Sequence, residues 1–236
     1  MPNEVELKIK EIIQRTHNVK SVRLETKEKV DFKAGQYMIV TIKSDDKEIS
    51  RYLSISNSPT EDGYIEFTKK LTDSDFSLTL KLLKVGDTVK IRYPFGKFIF
   101  DGEYEKIAFL SGGIGITPIR SITKYVVDKK LGTDMVLIYG NQCIDDVVFR
   151  DDFDLMKKES PNFKIIHVLN DDTKCDIPVK VGFITKEIVI EALPDYAERK
   201  FFICGPPGMV DAMKRMLLDG LGLSKECIIE ESFKGY

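Results

Sequence analysis

The sequence predicts an α+β chain of two domains: an antiparallel β-barrel or sandwich over residues 1–101, then a doubly wound α/β domain with a five-stranded parallel sheet over 102–236. Three observations predict it. The first half is a series of short β-rich runs at close spacing, the second alternates strand-like and helix-like runs, and two strands of the second half end in glycine-rich loops.

In the first half the strands are "VELKIKEIIQ", "VKSVRLE", "QYMIVTIK", "RYLSIS", "YIEFTKK" and "DTVKIRY", rich in β-branched and aromatic residues and separated by "AGQ", "SDDK", "TEDG" and "KVGD". One helix interrupts them at "DFSLTLKLLKVG", where Leu78, Leu82 and Leu83 can share a face before Gly86 stops it. The boundary falls at "FDGEYEK". Beyond it the strands are "KIAFLS", "MVLIYGN", "FKIIHVL", "KFFICG" and "CIIEESF", with helices expected near 118–130, 151–158, 185–192 and 207–219.

Composition removes several functions. With Lys+Arg 36 against Asp+Glu 38 there is no basic footprint for nucleic acid. The apolar runs are far shorter than the roughly 20 residues of a membrane span, and the charged start "MPNEVELKIKE" is unlike a signal peptide, so a cytoplasmic protein is expected. Cysteines 143, 175, 204 and 227 form no CxxC pair, and His17 and His167 have no acidic or cysteine neighbour at ligand spacing, so no metal site is expected. No GxSxG elbow suggests a hydrolase.

The stretch "FLSGGIGITPIRS" (109–121) leaves the carboxyl end of the first α/β strand. It is neither a P-loop, which ends Gly-Lys-Ser/Thr, nor the dinucleotide fingerprint, whose third glycine is replaced by Pro118. Thr117 and Pro118 read as N-cap and first helical residue. Gly112, Gly113 and Gly115 remove side chains where a ligand could approach the backbone, and the helix N-terminus favours an anion, most simply a phosphate. "ICGPPGMVDAM" repeats the construction after the fourth strand, with Pro207 or Gly208 opening a helix. If the first and fourth strands are neighbours where the strand order reverses, the two loops face one elongated ligand, such as a dinucleotide with its reactive end near Cys204.

The first half adds polar groups in strand-like sequence. Arg51 in "SRYLSISNSP" calls for an anionic partner, Ser54 can hydrogen-bond a polar ring edge, and Ser77 and Thr79 begin the short helix. Taken together, "RYLSIS", "FSLTLKLLKVGD", "YPFGKF", "FLSGGIGITPIRS", "YGNQCIDDVVFRDDF", "CGPPGMVDAM" and "EESFKGY" resemble the ferredoxin-NADP reductase superfamily in order and across nearly the whole chain. The resemblance implies a flavin-binding Greek-key barrel joined to a nicotinamide-binding domain, with FAD as cofactor and NADH or NADPH as substrate.

Carried over by position, the resemblance places Arg51 and Ser77 on the flavin pyrophosphate and Ser54 near flavin N5, with Tyr52 and Leu53 in the same flavin-binding stretch. Gly112, Gly113, Gly115, Ile116 and Thr117 would take the nicotinamide cofactor, Thr117 close to its ring, together with Gly205, Pro206 and Met209 of the second loop. Cys204 would sit beside the hydride-transfer position. Phe233 would cover the flavin face, with Tyr236 the other candidate.

Two departures stand out. The family motif usually reads Arg-x-Tyr-Ser, with the tyrosine packed on the flavin, and here that position is Leu53, which gives dispersion contact without stacking. Tyr52 points to the opposite strand face and is expected to pack elsewhere. Where the family reads the adenosine ribose, Asn141, Gln142, Asp145 and Asp146 lean towards NADH, with Arg150 as a cation that could fold in. The resemblance implies electron transfer to a separate carrier (ferredoxin, flavodoxin or an oxygenase component), since a fused C-x4-C-x2-C run is absent. A free-flavin reductase and a non-catalytic nucleotide-sensing or complex-assembly module are the alternatives that Leu53 leaves open.

Overall fold

The structure is a computed structural model and describes residues 2–44, 47–173 and 175–233. The expected strands of the first half form as β1 (Asn3–Thr16), β2 (Val19–Glu25), β3 (Tyr37–Ser44), β4 (Lys47–Ser54), β5 (Tyr64–Lys70) and β6 (Thr88–Phe95). They build one curled antiparallel sheet in the order β4-β3-β6-β1-β2-β5. Its edge strands meet through a bridge between Ile55 and Phe67 and a hydrogen bond from Ser56 N to Glu66 O at 2.8 Å, so the curled sheet closes around an apolar core.

Helix α1 (Asp75–Leu82) sends Phe76 and Leu80 into that core, and Ser74 caps it by accepting from Ser77 N at 3.4 Å. The leucine face read from the sequence is the outer one: Leu78 and Leu82 are exposed, and the chain is already extended at Leu83. The single phenylalanine, with Leu80, outweighs the leucines because it fills the barrel end.

The second half begins with β7 (Lys106–Gly112), α2 (Ile116–Lys129), β8 (Asp134–Asn141), α3 (Arg150–Glu159) and β9 (Phe163–Leu169). It continues through β10 (Val179–Val181), α4 (Lys186–Ala192), β11 (Lys200–Gly205), α5 (Pro207–Arg215) and β12 (Ile228–Ser232). All pairings are parallel, in the order β10-β9-β8-β7-β11-β12. The sheet therefore has six strands rather than five. The extra one, β10, is only three residues long and has no hydrophobic run of its own to announce it.

Sheet residues alternate between two cores, Phe109, Leu137 and Phe202 packing under α2 and α3, Leu110, Ile138 and Ile203 under α4 and α5. The first core runs on into Phe98 and Phe100 at the barrel exit, so the two domains share apolar packing. No helix among the described residues is long and apolar enough to cross a membrane.

Candidate functional site

Strands β7 and β11 are neighbours, with Cys204 in register with Ser111, and the order reverses between them. The two glycine loops consequently leave adjacent strand ends, the place where open α/β sheets bind ligands. How the glycines serve that arrangement differs from position to position. A Cβ on Gly115 would lie 2.3 Å from Cys204 O and 2.6 Å from Gly205 Cα, and one on Gly112 2.3 Å from Met209 Sδ. Those two glycines let one loop close on the other. Gly113 alone has positive φ, +52°, with open space where a side chain would be.

The helix start also differs from the sequence reading. A 3-10 turn over Gly113–Gly115 leads directly into α2 at Ile116, making Gly115 the N-cap. Thr117 is already in the first turn, and its Oγ1 donates to Ile114 O at 3.1 Å instead of capping. Compact glycines tighten the chain two residues earlier than a Thr-Pro cap would. The second loop behaves as expected, with α5 opening at Pro207.

Between these loops and the end of β9 lies a cavity of about 530 Å³ lined by residues including Gly113, Asn141, Asn170, Phe183, Ile184 and Met209. Among the described residues no lysine or arginine lines it, and Arg150 is engaged with Asp176, Nη2 to Oδ2 at 2.8 Å. Phe183, 77% exposed on the rim, gives a flat apolar surface that the sequence reading did not single out.

Across the junction, Ser54 is buried, and its Oγ has no hydrogen-bond partner among the described residues. A buried hydroxyl left in that state costs about 1–3 kcal/mol, so the position suits a ligand that bonds it. Ser54 is the register partner of Tyr37, and Leu53 of Met38. Leu53 is 9% exposed, packed with the barrel core, while Tyr52 is 70% exposed on the other face and meets Tyr37 edge-on at 5.9 Å. The expectation that Tyr52 packs away from Leu53 matches this alternation.

The Arg51 guanidinium lies over Phe76 of α1, 5.8 Å from the ring centre. Burial, and then the neighbouring charges of Arg51 and Lys70, push the Lys69 ammonium below its ordinary pKa. Like charges converging beside the first turn of α1, where Ser77 is fully buried, make a setting for an anion.

The α/β half contributes Cys204, fully buried at the end of β11, whose thiol is pushed well above its usual pKa by burial and then by Glu231. A thiol held above its usual range by burial is a poor nucleophile. Glu231 is the residue that sequence reasoning passed over. It is in register with Cys204, its Oε2 is buried without a partner among the described residues, and burial raises its carboxyl to about 7. Burial, and then the charge of Glu231, raise the Tyr37 phenol, so Glu231 faces barrel strand β3. The quoted ending "EESFKGY" held the signal, an acid two residues before the aromatic, but strand register was needed to show that it adjoins Cys204. Phe233 follows β12, with its N donating to Gly205 O at 3.2 Å, half-buried against the sheet core. Tyr236 lies outside the described residues.

Fold and facing loops define a two-domain protein for an elongated dinucleotide lying against a second ligand held by the barrel. The family model described as Oxidoreductase FAD-binding domain matches residues 4–100, and the Oxidoreductase NAD-binding domain matches 109–215. NADH-cytochrome b5 reductase 1 of Aspergillus fumigatus is 33% identical over 93% of this chain and 75% of its own length. The same-named protein of Debaryomyces hansenii is 33% identical over 81% and 68%.

Among solved structures, the ferredoxin reductase in carbazole 1,9a-dioxygenase superposes with a TM-score of 0.84 at 27% identity, covering 98% of this chain and 70% of that one. The cytochrome b5 reductase domain of Ulva prolifera nitrate reductase gives 0.86 at 24% identity, covering 97% of both, a likeness of fold. The chain belongs to the ferredoxin-NADP reductase superfamily of FAD- and NAD-binding oxidoreductases. FAD and a nicotinamide dinucleotide are accordingly its cofactors. The partnerless Ser54 hydroxyl and the cations beside α1 fit FAD, and the neutral cavity fits the dinucleotide.

Proposed function

We propose that this protein is an NADH-dependent reductase that passes electrons through FAD to a separate one-electron carrier. Carriers of the kind its relatives are named for, cytochrome b5 or the ferredoxin of an oxygenase system, are the preferred acceptors, with flavodoxin a further one. The observation that carries the reading is the buried, partnerless Ser54 hydroxyl at the same seam as Cys204 and Glu231. FAD, when bound, supplies the exchange between hydride and single-electron chemistry.

The chain's own residues position and shield. Arg51, Lys69 and Ser77 would hold phosphate oxygens, and Ser54 would donate to a ring nitrogen near the reacting edge. Gly113 and the start of α2 receive the dinucleotide with Ile116 and Thr117, and Gly205, Pro206 and Met209 close the other side. Phe233 would shield the flavin face, and Cys204, fully buried at the end of β11, would pack behind the reacting ends and help to exclude water. Glu231, whose carboxyl burial raises to about 7, would hold a proton at its buried oxygen below that pH.

The test is a visible spectrum of the purified protein, then anaerobic addition of NADH and of NADPH. A flavin band bleached by NADH is expected; a colourless protein that does not take up FAD overturns the reading. Leu53, without a ring to stack, favours a second reading, flavin as exchangeable substrate, and loss of the yellow colour on gel filtration at micromolar protein would establish it.

Two further outcomes follow from the site. NADH is expected to surpass NADPH in kcat/KM by at least about tenfold, because no cation among the described residues lines the cavity to pair with a 2'-phosphate. Steady-state kinetics with both nucleotides check this. Cys204→Ala is expected to slow flavin bleaching by about tenfold or less, since the thiol is neutral and serves by contact. Stopped-flow absorbance measures it, and complete loss in a folded variant would indicate thiol chemistry.

A further inference from the structure

Arg120 lies one helical turn beyond Thr117 on α2, where sequence alone gives it no task. In the structure it is 4% exposed and reaches across the domain junction. Its Nη2 donates to Glu61 Oε1 at 3.0 Å and its Nη1 to Glu61 Oε2, a two-pronged pair with a carboxylate in the β4–β5 connection. Nη1 also donates to Ser56 O at 3.2 Å, two residues beyond Ser54. Beside it, Ser121 Oγ donates to Asn57 O at 2.7 Å.

The junction closes through Asp152 on α3. Its Oδ2 is 3.6 Å from Arg120 Nε and 3.4 Å from Nη1 of Arg15 on barrel strand β1. Arg15 in turn pairs with the fully buried Glu66 at 3.3 Å. Phe149 lies near both guanidinium carbons, 4.8 Å from Arg15 and 5.8 Å from Arg120 to the ring centre, and its backbone is left-handed with φ +61°. A bulky residue held there is strained, and the surrounding packing must impose that conformation.

We propose that Arg120 is a positioning residue for hydride transfer, tying the helix that begins at the dinucleotide loop to the backbone just beyond Ser54 and so fixing the separation of the two reacting rings. The inference rests on the flavin and nicotinamide reading above. The planar guanidinium bonds both Glu61 oxygens from two separate nitrogens while Nη1 also reaches the Ser56 carbonyl, a fixed two-pronged geometry that the single nitrogen of lysine does not reproduce. Rigidity matters here because a displacement of about 1 Å between reacting atoms can cost on the order of a hundredfold in rate.

The experiment compares the holoenzyme with Arg120→Lys and Glu61→Gln, measuring the limiting rate of anaerobic bleaching by NADH, the Kd of NADH from its concentration dependence, and hydrogen exchange over residues 56–61. Arg120→Lys is expected to lower the limiting rate at least about tenfold, shift Kd by less than about twofold, and speed exchange in 56–61. Glu61→Gln, which keeps the shape and one acceptor, should fall between, and it carries the test if the lysine variant does not fold. A limiting rate within about twofold of wild type in a folded variant, whatever its Tm, would mean that Arg120 serves the fold only and overturns the proposal. A slower rate with unchanged exchange over 56–61 also overturns it, because the effect would not run through the barrel. Wild-type protein that NADH cannot bleach overturns instead the reading on which the inference rests.

Discussion

Gly115→Ala is expected to abolish most NADH-driven bleaching, by about a hundredfold or more, while the barrel still binds FAD. The added Cβ would stand 2.3 Å from Cys204 O and 2.6 Å from Gly205 Cα, both backbone atoms that cannot rotate aside. The chain must therefore move, and the two loops line the cavity proposed to take the dinucleotide. A shift of the order of 1 Å there separates the nicotinamide from the flavin, which accounts for the size of the loss. Overpacking of this kind also costs about 1–3 kcal/mol of stability. Flavin content, Tm and stopped-flow bleaching check it together: an alanine variant with FAD bound and an unchanged bleaching rate would show that the loop contact has no part in turnover. Gly113→Ala makes the control, because its cost comes from a backbone φ of +52° and not from a clash with the partner loop.

Glu231→Gln is expected to change the pH dependence of both stability and turnover. The carboxyl is raised by burial from its ordinary value of 4.5 to about 7. The folded protein therefore binds more protons than the unfolded chain between these values, and the group's stabilising contribution is full below about 4.5 and lost as pH rises through 7. At pH 8 the buried charge costs the fold about 2–3 kcal/mol, which glutamine removes. The variant without FAD should accordingly be more stable than wild type at pH 8 and nearly equal to it at pH 4. Denaturant unfolding at the two pH values measures this, and equal differences at both would show that the carboxyl does not titrate with folding. In the loaded enzyme, an inflection near pH 7 in the wild-type bleaching rate is expected to disappear in the variant.

Much of the fold was legible because periodicity reports burial directly. Runs such as "KIAFLS" and "MVLIYGN" lie in a sheet covered on both faces, so they are apolar throughout, and the glycine loops follow from the strand–loop–helix order alone. Strand β10 was missed because three edge residues carry no period, and the α1 leucines misled because the barrel end is plugged by Phe76 and Leu80. At the candidate site, Arg51, Ser54, Ser77 and Cys204 belong to local motifs that the sequence singles out. Glu231 was not singled out, since its meaning comes from its register with Cys204, and neither was Arg120, whose partners Glu61 and Ser56 are 59 and 64 residues away.

By itself, then, the sequence determined the two domains, the strand that carries Ser54 and the two glycine loops at the strand ends, all of them set by neighbours within a few residues along the chain. Tertiary structure alone decided which glycines serve the loop contact, which carboxyl is buried at the seam and which arginine joins the domains. Those properties depend on desolvation and on atoms brought together from distant segments, and no local pattern of residues encodes them.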